Sequence, residues 1–145
     1  GGTTGDPKGS TVIAVDTNLI VDLFLRTPHT ELARTIARRD DQWHAPLLWR
    51  SEFASVLWQQ HRASGLPLDA ARALHRQACA WMDGTEHLPS FDAVLELAFE
   101  AEATPYDCQF VAVARGLGLR LITHDRRLRR AFPQGALDPR EFVRG

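Results

Sequence analysis

Val12-Ile13-Ala14-Val15 is a short, almost wholly apolar run rich in β-branched side chains, and a polar triplet, Asp16-Thr17-Asn18, follows it at once. So brief an apolar run predicts a strand buried on both faces, as in a parallel sheet. The period then lengthens, and Leu19, Ile20, Leu23 and Phe24 fall at helical spacing. A second helix is expected from Glu31 to Arg39, and a short strand at Trp43-His44-Ala45 before Pro46. From Leu47 to about Ala63, Trp49, Phe53, Val56 and Leu57 lie on one helical stripe, which Gly65 and Pro67 break.

Another helix is expected from Leu68 to Met82, a short strand at His87-Leu88, and a helix from Phe91 to Ala103. Thr104-Pro105 opens the next helix, and Gly116 and Gly118 end it. Arg120-Leu121-Ile122-Thr123 reads as a strand, after which Asp125 begins a short basic helix. Strands alternating with helices imply right-handed crossovers and a parallel sheet. No repeat or linker divides residues 11–145, which are expected to form one domain. Residues 1–10 (GGTTGDPKGS) have four glycines and no aliphatic side chain, the composition of a flexible tail or an expression remnant.

Composition narrows the class. At 145 residues with 44% hydrophobic and 24% charged positions, the chain can bury a core and resembles an ordinary globular protein. No apolar run approaches the roughly 18 residues of a membrane span, and no secretory pattern opens the chain, so the cytoplasm is the expected compartment. Cys79 and Cys108 lack metal-ligand spacing and are expected to be small core residues rather than a zinc site or a disulfide.

The net charge of -1 counts against tight, sequence-blind binding to nucleic acid. The charge is uneven, however: Arg126, Arg127, Arg129 and Arg130 place four cations within five positions. The simplest reading is a solvated helix face. Its place directly after Asp125 also makes it the best candidate for contact with a phosphate group.

In an open parallel sheet, ligands bind beyond the carboxyl ends of the strands. Asp16 stands directly after the first expected strand and Asp125 just after a later one, yet aspartate is also a favoured helix N-cap. Asp107 fits a capping box led by Thr104. It also heads a buried stripe with Phe110, Val111 and Ala114, where an uncompensated carboxylate would be costly. Glu52 lies within its expected helix, beyond the reach of a capping explanation, at the border of the apolar stripe. Border charges are usually solvated. Four acids gathered at one sheet edge would repel one another unless a cation neutralised them. All-oxygen ligands favour Mg²⁺ or Mn²⁺ over zinc, and such ions can activate water at a phosphodiester.

Four segments in order carry a family resemblance: residues 12–20, 45–52 (APLLWRSE), 106–114 (YDCQFVAVA) and 121–128 (LITHDRRL). Together they resemble the PIN domain, and at this length most closely the VapC-type ribonuclease toxins of toxin–antitoxin pairs. The resemblance implies a three-layer α/β domain with a parallel five-stranded sheet flanked by helices. It implies metal-dependent endoribonuclease activity on tRNA or rRNA, a homodimer, and a cognate VapB-like antitoxin. It further implies Asp16 and Asp107 as principal ligands of Mg²⁺ or Mn²⁺, with Glu52 and Asp125 completing the pocket. Thr123 matches a small hydroxyl residue that positions water or a ligand, and Asn18 a residue supporting the site from behind the ligands.

His124, directly before the fourth acid, departs from the pattern and is expected to be structural. The other histidines show no ligand spacing, and the four tryptophans are expected in the core or on a dimer face. Two rivals share the acidic pocket: a receiver-like Mg-binding signalling domain and a phosphatase with a nucleophilic aspartate. Both resemble families that need a lysine near the phosphoryl group, and the only lysine here is Lys8, in the leading segment. A PIN domain serving only in assembly is the remaining alternative.

Overall fold

A computed structural model describes residues 12–145; the tail expected over residues 1–10 lies outside the described residues. The elements are β1 (Val12–Val15), α1 (Thr17–Phe24), α2 (Thr30–Arg39), β2 (Gln42–Pro46), α3 (Trp49–Ser64), α4 (Leu68–Trp81) and β3 (Glu86–His87). They continue with α5 (Phe91–Ala101), α6 (Pro105–Gly116), β4 (Leu121–Ile122), α7 (Arg126–Ala131), β5 (Ala136–Leu137) and α8 (Pro139–Arg144). The strands form one sheet in the order β3-β2-β1-β4-β5, every pair parallel.

That order fixes the layers. The chain steps outward from β1 to β2 to β3, then returns to the other side of β1 for β4 and β5. Right-handed crossovers in opposite directions put α1–α4 on one face and α5–α7 on the other. The sheet is therefore a three-layer α/β sandwich. Order reverses between β1 and β4, and the crevice at their carboxyl ends is where such sheets bind ligands.

Burial explains the apolar runs. Ile13, Ala14 and Val15 are all buried, as a central parallel strand requires. Trp43, Trp49, Phe53 and Phe110 are among the largest fully enclosed side chains. The two enclosed indoles are satisfied: Trp43 donates to the Asp40 carbonyl at 2.7 Å and Trp49 to Glu86 Oε2 at 2.7 Å. Trp81 is half-buried, edge-on to Trp43. Trp58 is 59% exposed under the Arg62 guanidinium, so it is not part of the core. Cys108 is buried and Cys79 half-buried, both as free thiols. Among the described residues, no helix is long and apolar enough to cross a membrane.

Three local expectations shift. The third strand is Glu86–His87, one residue earlier than expected, because Ala45 and Pro46 pair with that dipeptide. The third helix begins at Trp49 rather than Leu47, which puts Glu52 in its first turn rather than mid-helix. An acid there gains from the helix dipole. Finally, the chain's pattern located neither the fifth strand that the resemblance implies nor α8: two strand residues carry no period, although Asp138-Pro139 is an N-cap followed by proline at the first helical position.

Candidate metal-binding active site

Asp16 caps α1 from the end of β1, its Oδ1 accepting from Thr17 N at 2.8 Å. Its other oxygen accepts from Thr123 Oγ1 at 2.6 Å, across the switch point from the end of β4. Thr123 is fully buried, and its oxygen also accepts from Asp125 N at 3.0 Å and from Asn18 Nδ2 at 3.5 Å. One hydroxyl thus ties the first acid to the backbone of the fourth.

The neighbouring helices bring the other two acids. Glu52 Oε1, in the first turn of α3, accepts from the buried Thr17 hydroxyl at 2.5 Å. Asp107 N donates to Thr104 Oγ1 at 3.1 Å, the expected cap of α6. Phe110, Val111 and Ala114 below it are buried, which holds Asp107 at the rim of the sheet. Asp125 caps α7, with Oδ1 accepting from Arg127 N at 2.9 Å and Leu128 N at 3.2 Å.

The four acids feel one another. Burial is the largest influence on Asp16 and pushes its carboxyl up to about 6 from 3.8, against the hydrogen bonds from Thr123 and Thr17; the charges of Glu52 and Asp107 add to the rise. Glu52 is raised chiefly by burial, with Asp107 adding repulsion. Asp107 is raised by burial and then by Asp125, and the Arg127 guanidinium partly offsets this. Asp107 is therefore the member that interacts with all three others.

Among the described residues, no group of three or more His, Cys, Asp or Glu side chains is already arranged to hold an ion. The donor chemistry nonetheless fits a hard divalent cation. Every candidate ligand is an oxygen, and three carboxylates carry raised pKa values of the kind a cation would lower. Asn18 supplies a further sign. Its Nδ2 faces Asp16 and Thr123, leaving Oδ1 buried without a partner. A buried orphan acceptor beside an acidic cluster suits an ion's water shell.

Two shallow depressions flank the acids. One, of about 380 Å³, is lined by Thr17, Asn18 and Glu52 together with Ser55 and Gln59. The other, of about 200 Å³, lies between Thr104, Asp107 and Arg127. Two larger hollows, of about 540 and 550 Å³, have none of the four acids in their walls.

The arginine cluster divides. Arg129 is structural, donating to the Thr123 carbonyl at 3.0 Å and facing Asp138 at 3.4 Å. Arg126 and Arg127 are exposed. Two participants were missed in the sequence. Thr17 was read only as part of a motif, and Asp22, buried in α1, receives His124. The signal for Asp22 was an acid one turn beyond Asn18, on a helix whose other side is apolar.

The PIN domain family matches residues 13–132, a span that contains all four acids. Ribonuclease VapC3 of Pyrobaculum aerophilum is 28% identical over 125 residues, covering 83% of this chain and 95% of that protein. The crystal structure of PAE2754 from Pyrobaculum aerophilum has the same fold, with a TM-score of 0.72 at 23% identity over 93% of this chain and 95% of the other. The chain belongs to the PIN-domain family.

Proposed function

We propose that this protein is a Mg²⁺- or Mn²⁺-dependent endoribonuclease, the toxin of a toxin–antitoxin pair, that hydrolyses phosphodiester bonds in tRNA or rRNA. The observation that carries the reading is the coupled set of Asp16, Glu52, Asp107 and Asp125 at the switch point of the sheet, with Asp16 pushed up to about 6. The likeness to a protein named as a ribonuclease supports the reaction class.

In this reading Asp16 and Asp107 are the principal metal ligands, and Glu52 and Asp125 complete the pocket. A bound ion would supply charge for an attacking water and for the developing negative charge at phosphorus. The chain's own residues do the positioning. Thr123 fixes the rotamer of Asp16 through its hydroxyl proton, and Thr17 does the same for Glu52. Asn18 stands beside Asp16 and Thr123, with its Oδ1 buried and unpartnered. Arg127, beside Asp107 and exposed, holds a backbone phosphate of the RNA, and Arg126 extends that contact.

The partner would be a VapB-like antitoxin whose basic side chain enters the acidic pocket, replacing the charge of the ion and forking onto two oxygens. The working form is a cytoplasmic homodimer. The receiver-like reading finds no support in the fold, because no lysine occurs anywhere in residues 12–145. Incubation of the purified protein with total RNA and Mn²⁺, with and without EDTA, tests the proposal. Cleavage that EDTA abolishes and that Asp107→Asn lacks is expected. A folded wild-type protein that leaves all RNA intact would point to the silent assembly domain instead.

A further inference from the structure

His124 lies between two residues of the acidic site, Thr123 and Asp125, and its ring is engaged by Asp22 on α1 rather than by any of the four acids. Its Nε2 stands 3.0 Å from Oδ2 of Asp22, whose side chain is 7% exposed. A carboxylate only accepts, so Nε2 carries the proton. The second oxygen of Asp22 is also engaged, accepting from Thr27 Oγ1 at 2.8 Å. Thr27 in turn accepts from His29 N at 3.0 Å, and the His29 ring stacks on His124 with centroids 4.3 Å apart. The imidazole is therefore held by its edge and by one face.

The consequence lies in the chain on either side of the ring. The segment after β4 is fastened to α1 at two places: Thr123 to Asp16 at the first residue beyond β1, and His124 to Asp22 about a turn and a half further along. Thr123 is also held by Leu137 O and Arg129, and Asp125 N by Thr123 Oγ1. The His124–Asp22 contact is the side-chain tie that joins this segment to the body of α1 beyond Asp16. Asp125 follows immediately, and its carboxylate is the one that repels Asp107. The direction of this segment therefore sets how closely Asp125 approaches Asp107.

We propose that Asp22 and His124 form a positioning clasp that holds Asp125 within the acidic cluster, so that His124 tunes affinity for the divalent ion without touching it. This rests on the metal-site reading above. Residues behind metal ligands commonly change metal affinity by about 10–100-fold when lost. His124 acts one peptide away from its ligand, which puts the expectation at the lower end.

The test is calorimetric titration of Mn²⁺ into wild type, His124→Leu and His124→Gln, with circular dichroism confirming the fold. Glutamine carries an amide donor close to the place of Nε2. The Mn²⁺ dissociation constant is expected to rise about 10-fold in His124→Leu and to return most of the way to wild type in His124→Gln. If His124→Leu does not fold, His124→Ser, which admits water to Asp22, carries the same expectation. A folded His124→Leu or His124→Ser that binds Mn²⁺ like wild type, with only a lower melting temperature, overturns the clasp and leaves the metal site standing. A wild type that binds no Mn²⁺ overturns both.

Discussion

Replacing Asp16 by asparagine should stabilise the metal-free protein, and by an amount that depends on pH. The folded carboxyl is pushed up to about 6, whereas the same group in an unfolded chain lies near its ordinary 3.8. Between those values the folded state holds the proton more tightly, so stability is lost as pH rises through the window and stays lost above about 6. A difference of about 2 pH units corresponds to about 3 kcal/mol at full ionisation, at about 1.36 kcal/mol per unit. At pH 4.5 roughly two thirds of that cost is relieved by protonation. Partial solvent access lowers the figure, so the stabilisation by Asp16→Asn should be about 1–2 kcal/mol larger at pH 7.5 than at pH 4.5.

Comparing the two pH values removes every pH-independent effect of the substitution. Asparagine caps a helix about as well as aspartate, and any change in the Thr123 bond is common to both conditions. The assay is urea unfolding in EDTA, followed by circular dichroism, for both proteins at both pH values. An equal difference at pH 4.5 and 7.5, or a variant less stable than wild type at pH 7.5, would refute the view that a crowded, buried charge sits at Asp16.

Asp107→Asn should abolish RNA cleavage in a gel assay while leaving the circular dichroism spectrum unchanged, because an amide binds a hard cation weakly. Mn²⁺ at about 100 times its dissociation constant should add about 2.7 kcal/mol, a rise on the order of 10 °C in melting temperature. By differential scanning fluorimetry, Asp16→Asn and Asp107→Asn should lose most of that rise, and Asp92→Asn, an exposed acid on α5, should keep it. Arg127→Ala should raise KM for RNA and reduce the salt dependence of binding by about one phosphate contact in a filter-binding titration.

The fold was legible where a segment's burial matched its period. Val12–Val15 has no polar position and sits at the centre of the sheet with neighbours on both edges. The stripe of Asp107, Phe110, Val111 and Ala114 likewise gave the buried face of α6. Legibility failed at the sheet margin. β5 has two residues, held by Leu121 N to Gly135 O at 2.8 Å and Thr123 N to Leu137 O at 3.0 Å, and contacts that far apart in sequence leave no local pattern. Trp58, expected in the core or on a dimer face, is not in the core: its position is one residue beyond the Phe53–Leu57 stripe and so faces outward.

The site was harder to read because its residues satisfy two explanations together. Asp16 and Asp125 are helix caps, as their sequence context alone suggests, and a cap engages only part of a carboxylate. Asp125 uses Oδ1 for both amides of α7, so the cap does not require its second oxygen. A cap also fixes the rotamer of the carboxylate, which is what a metal ligand needs to be pre-positioned. Capping is therefore part of how the strand ends present acids to the switch point, not evidence against their chemistry. What a linear pattern cannot encode is the second tie between distant segments, Thr123 to Asp16 over 107 positions and His124 to Asp22 over 102. Those ties depend on β1 and β4 being neighbours. Once that pairing is known, a buried acid on α1 and a histidine beside Asp125 become a matched pair rather than two unexplained residues.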